Sequence, residues 1–136
     1  MDKENEAPQG DEIREEPVKH PELSEADQSA YDGLKKNGQY KLLKPYKFED
    51  GKEHTTLNFP LFKATGEDIL AAEEMTAALG FATQGDQPIE FSKRFQAILA
   101  ARVAGVVPEY IFKLPARDFT RITLMVAHFL LTTGGE

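Results

Sequence analysis

The chain has no cysteine. That absence excludes a disulfide framework, a thiolate metal site and a cysteine nucleophile, and it fits a reducing cytoplasm. Histidine is scarce as well. His20, His54 and His128 stand far apart, so the three-to-five-residue spacing of a histidine metal pair is missing. Gly66 and Gly80 are isolated and Gly134-Gly135 lie at the end, so nothing resembles a phosphate-cradling loop. No apolar run approaches the roughly 20 residues that span a bilayer. The opening MDKENEAP lacks the apolar stretch of a signal peptide. A basic excess is missing too: the 136 residues carry a net charge of −7, whereas phosphate binding needs a cationic face. These gaps point away from metal, cofactor, nucleic acid and membrane. They point toward a cytoplasmic protein that works through protein surfaces.

The candidate chemistry that remains is thin. The acid pairs Glu67-Asp68 and Glu73-Glu74 sit near an expected helix start, where paired acids are usually a solvated face rather than a catalytic dyad. Arg102 falls on an apolar helical stripe. Such an arginine either snorkels or pairs with an acid such as Asp118. A lone helical histidine such as His128 is more often a packing or interface residue than a general base. With no nucleophile, metal or cofactor signature, the residues describe a binding module rather than an enzyme.

What is present is unevenly placed. Hydrophobic residues make up 40% of the chain, enough for a core. Residues 1–33, however, hold eleven acidic and only three basic side chains. The negative charge sits in the N-terminal quarter, and the remainder is nearly neutral. Residues 1–38 read as a disordered acidic arm. Their sizeable apolar side chains are Ile13, Val18, Leu23, Tyr31 and Leu34, too few to offset about 1–2 kcal/mol per ordered residue. Pro8, Pro17 and Pro21 oppose a helix. The exception is SEADQSAYDGLKK, where Ser24 suits an N-cap and Asp27 the capping-box position. The arm is either a self-repelling, solubilising tail or a lure for a basic partner segment.

Residues 39–136 read as the folded domain. Residues 41–59 predict a β-hairpin, because Asp50-Gly51 supplies the positive φ of a tight turn. If those two residues are the loop, Phe48 pairs with Glu53, Tyr46 with Thr55, Lys44 with Leu57 and Leu42 with Phe59. Alternation then gathers Leu42, Tyr46, Phe48, Leu57 and Phe59 on one face and puts Lys47, His54 and Thr56 on the other. Pro45 marks an edge strand. A lone hairpin is marginal in water, so helices must cover its apolar face.

Helical segments follow. Thr65 or Gly66 starts the first, Glu67 and Asp68 complement its dipole, and Ile69, Ala72, Met75, Thr76 and Leu79 form its stripe. Gly80 stops it. Pro88 opens the second, with Asp86 as a cap candidate. Its stripe is Phe91, Phe95, Ile98 and Arg102, and Gly105 ends it. A short turn from Pro108 holds Tyr110, Ile111, Phe112 and Leu114. Pro115 opens the last helix, which runs to about Thr132. That helix has a main stripe of Phe119, Ile122, Val126, Phe129 and Leu130. It also has a second mixed face of Arg117, Arg121, Leu124, His128 and Leu131. A helix apolar on two faces is usually buried on two. Either residues 108–114 fold over the second face, or another subunit or a client helix meets it.

In this order the segments resemble the tail assembly chaperones of contractile-tailed phages. The likeness rests on Asp50-Gly51-Lys52-Glu53, Leu57 to Pro60, Asp68-Ile69-Leu70, Gly105 to Glu109 and Asp118, and covers residues 41–133. It implies an α+β fold, an N-terminal β-hairpin packed on three to four helices, with the acidic arm in front. It implies a non-catalytic protein of the host cytoplasm, without cofactors, that coats the tape measure protein before tail tube subunits polymerise around it. Implied partners are the tape measure protein, further copies of the chain or a frameshifted longer form of it, and the tail tube protein. Arg117, Arg121, Leu124, His128 and Leu131 are the expected partner-binding residues. The alternative is a small bacterial or prophage adaptor or inhibitor whose acidic arm masks a basic target.

Overall fold

The computed structural model describes residues 23–81 and 87–132. Its elements are α1 (Glu25–Asn37), β1 (Gln39–Lys47), β2 (Glu53–Asn58), α2 (Gly66–Ala78), α3 (Lys93–Ala104), α4 (Pro108–Phe112) and α5 (Ala116–Leu131). Single 3-10 turns occupy Leu61–Lys63 and Ile89–Phe91. The architecture is α+β, with a two-stranded antiparallel hairpin on a small helical bundle, as the sequence pattern predicts.

The bundle is built around α3. The Ser92 hydroxyl accepts from the Phe95 N–H at its start, and Gly105 ends it with a φ of 75°. Every residue from Phe95 to Ala101 is buried. A stretch of helix with no solvent side is enclosed by neighbours, and α2, α4 and α5 all pack on it. Pro88 leads the 3-10 turn Ile89–Phe91 rather than the helix itself. Asp86 and Gly134-Gly135 lie outside the described residues. Arg102 does pair with an acid, but the partner is Asp68 at 2.8 Å, not Asp118.

The hairpin keeps its expected inward residues but not its register. Gly51 has a φ of 75°, and its N–H donates to the Phe48 carbonyl. The loop nevertheless runs from Phe48 to Lys52, so Lys47 pairs with Glu53 and Tyr46 with His54. At the far end Lys41 pairs with Thr56 and Tyr40 with Leu57. From Lys41 to Tyr46, β1 takes five steps where β2 takes two from Thr56 to His54. The excess forms a bulge around Pro45, which has no N–H to give to a ladder. An odd excess exchanges the inward and outward positions between the two ends. Tyr40, Leu42, Tyr46, Leu57 and Phe59 are nevertheless all buried, Phe48 is half-buried, and the exchange shows in His54, which stands opposite Tyr46. His54 is displaced from the solvent face: its ring centroid lies 5.5 Å from that of Tyr110.

The N-terminal boundary also moves. Residues 25–37, placed in the arm as its one helical exception with Ser24 as cap, form α1. The Ser24 hydroxyl accepts from the Asp27 N–H at 3.1 Å, and Gly38 closes the helix with a φ of 69°. The few apolar side chains here are concentrated rather than diluted. Tyr31 and Leu34, three apart on one helical face, are both buried, and Leu23 and Ala30 pack beside them. That concentration offsets the ordering entropy of this short stretch, so the folded domain begins at about Leu23 instead of residue 39. Residues 1–22 lie outside the described residues.

Helix α2 starts as expected. Thr65 and Asp68 form a reciprocal capping box. Its stripe is only partly correct: Ala72 and Thr76 are buried, while Met75 and Leu79 are exposed. α5 buries Ile122, Met125 and Val126, and α4 buries Tyr110 and Ile111.

Candidate functional site

Residues 108–114 do not cover the second face of α5. Helix α1 lies along it. The Tyr31 ring meets the His128 ring edge-on, with centroids 4.8 Å apart. The Arg121 Nε donates to Asp27 Oδ1 at 2.6 Å, and the same guanidinium donates to the Ala26 carbonyl at 3.0 Å. Burial works against the Arg121 charge, but the bonds to Asp27 and Tyr40 outweigh it and raise its pKa further. Residues 108–114 contribute α4, which packs mainly on α3.

One part of this face stays open. Leu43, Ala116, Arg117, Thr120 and Leu124, with Ala26 of α1, line a groove of about 440 Å³. Leu43 is 53% exposed, Arg117 is exposed, and Leu124 is half-buried. The groove thus has an apolar floor and an arginine at its rim. It brings together Arg117, Arg121 and Leu124 of the five expected residues. His128 sits under Tyr31, and half-buried Leu131 lies two turns beyond Leu124.

Leu43 belongs to this groove but escaped the sequence expectation. The Leu42-Leu43 doublet carried the signal, since neighbouring strand residues point to opposite faces. With Leu42 in the core, Leu43 must face out.

The position of the groove is set by Asp118 in the first turn of α5. This carboxylate is fully buried. Its Oδ1 accepts from the Tyr40 hydroxyl at 2.6 Å and from the Leu43 N–H at 2.9 Å. The bulge takes Leu43 out of the ladder, and Asp118 satisfies the N–H that results. Burial, and then the adjacent carboxylate, pushes the Tyr40 pKa far above the usual tyrosine value. Together with Arg121, these side chains join α1, β1 and α5 at one point. No group of three or more metal-ligating side chains occurs among the described residues, and none of their helices is long and apolar enough to cross a membrane.

Comparison with known families gives a match over residues 39–131 to phage tail assembly chaperone proteins, described as E, or 41 or 14. Comparison with curated proteins and with solved structures gives no match. The family match spans the hairpin, α2, α3, α4 and α5, and it excludes α1. It covers well over half of the sequence, and the chain belongs to the phage tail assembly chaperone family.

Proposed function

We propose that the chain binds the tape measure protein and keeps it soluble during tail assembly, without catalysis. The family match over residues 39–131 carries this reading. The groove between β1 and α5 supports it. An apolar floor of Leu43 and Leu124 suits an apolar anchor on a client helix, and Arg117 suits an acidic residue beside that anchor. Many copies on one long client would add weak single contacts by multivalency. The work would take place in the host cytoplasm. Self-association, a frameshifted longer form of the chain and the tail tube protein are further partners on this reading.

The test is co-expression with the tape measure protein encoded in the same genome. The wild type should hold that protein in the soluble fraction and co-purify with it. Changing Leu43 and Leu124 to Ser should leave the melting curve near wild type and release the client. A tape measure protein that precipitates despite excess wild-type chain would sink the reading. If the double variant still binds, the function stands and the groove is not the site.

A further inference from the structure

The groove between β1 and α5 lies where the chain enters the folded domain. Leu23 packs on the core and Ser24 caps α1. Ala26 and Asp27, in the first turn of α1, form part of the groove wall beside Leu43, Thr120 and Leu124. The Arg121 guanidinium fixes that turn through Asp27 and the Ala26 carbonyl. Residues 1–22 are therefore joined to the domain within a helical turn of this groove.

Charge and reach single out what can fill it. Among the charged residues that line the groove, Asp27 and Arg121 answer each other at 2.6 Å. Arg117 remains: it is exposed, and no acid among the described residues pairs with it. Residues 1–22 carry eight acidic and only three basic side chains. Val18 is their large apolar side chain nearest the domain, and Glu15 and Glu16 stand two and three positions before it. An apolar anchor beside carboxylates complements an apolar floor beside an arginine. Val18 is five residues from Leu23, a reach of up to about 17 Å. The α5 residues lining the groove, from 116 to 124, span about 12 Å. Pro17 and Pro21 suit an extended path along such a groove and lower the entropy lost in taking it.

We propose that residues 15–22 lie in this groove of their own chain, with Val18 on the Leu43 and Leu124 floor and the Glu15-Glu16 pair at Arg117. A segment joined to its site by a few residues is held there at an effective concentration on the order of millimolar. A contact of only millimolar strength is then occupied about half the time. The docking does not depend on the tape-measure reading and is measured without any client, so the failure of one is not the failure of the other.

Amide NMR spectra of the full chain test it. V18S should shift the signals of Leu43, Thr120 and Leu124 and leave those of Leu99 and Ala100 in α3 unmoved. E15Q/E16Q should move the same groove signals, and the shift caused by V18S should shrink in high salt, where exposed charge pairs are screened. In a chain that already carries L43S/L124S, V18S should no longer move Thr120. Groove signals unchanged by V18S would overturn the proposal. So would V18S shifts centred elsewhere, for example on Phe81 and Phe112. Groove shifts that fade on dilution would overturn it too, since the occupant would then be the arm of a second copy.

Discussion

Asp118 concentrates the most consequence in one side chain. It is a buried carboxylate that holds the Tyr40 hydroxyl and the Leu43 N–H with one oxygen. Its other oxygen finds no hydrogen-bond partner among the described residues. Buried polar atoms are normally satisfied, so the position is specified by geometry and not by chemical convenience. The neighbouring tyrosine supplies a pH test. Burial and the carboxylate raise the Tyr40 pKa above its ordinary value of 10.0. Above that value the unfolded chain ionises while the folded one resists, so this contribution is complete below pH 10.0 and is lost as pH rises beyond it. Tyr40→Phe should therefore cost about 1–2 kcal/mol near neutrality and flatten the alkaline decline. An alkaline limb in Tyr40→Phe as steep as in wild type, followed by denaturant melts, would show that other tyrosines cause it. In the sequence Asp118 stood only as a candidate partner for Arg102 and as a position of the family likeness, because a contact across 78 residues leaves no local pattern.

The hairpin shows how far periodicity reaches at the scale of elements. Tyr46, Leu57 and Phe59 could be placed inside because alternation is a local property of a strand. The register could not, because Pro45 and the bulge change the count between the strand ends. Phe59→Ala should cost about 3–5 kcal/mol, since the ring is fully buried. His54→Ala should cost measurably more than Lys47→Ala in the same melts. His54 borders Tyr110 and bonds Asp50 at 3.0 Å, whereas Lys47 is exposed. Equal effects at 54 and 47 would restore the register read from the turn. The capping box of α2 and the glycine stop of α3 were legible for the same reason as the alternation: both are local. The exposed side of α2 was not, since apolar residues surround that helix and spacing alone does not say which of them a neighbour will cover. The face of α5 was recognised as needing a cover. The cover itself was hidden in a segment whose average composition is acidic and polar, although Tyr31 and Leu34 carry most of its burial.

At the scale of the whole molecule, the family's shared region and the folded unit do not coincide. The match begins at residue 39, yet α1 places Leu34 at 2% exposure in the core and ties Asp27 to Arg121. Removing residues 1–38 should lower the melting temperature, and Leu34→Ala alone should cost about 2–5 kcal/mol. A shortened chain from residue 39 that melts at the full-length temperature would show that α1 rests on the domain without stabilising it. The bonds that join these ends also bear on the order of folding. Asp27 meets Arg121 across 94 residues, and Tyr40 meets Asp118 across 78. Contacts so distant along the chain are slow to close. On the ribosome, α1 and the hairpin emerge long before α5 exists to receive them. The Tyr40 hydroxyl and the Leu43 N–H are then without the Asp118 carboxylate, and a nascent chain stalled before residue 118 presents the kind of uncovered apolar surface that recruits aggregation. The last helix is thus the step that commits the domain: α5 must be made before the earlier elements gain the partners that Asp118 and Arg121 supply.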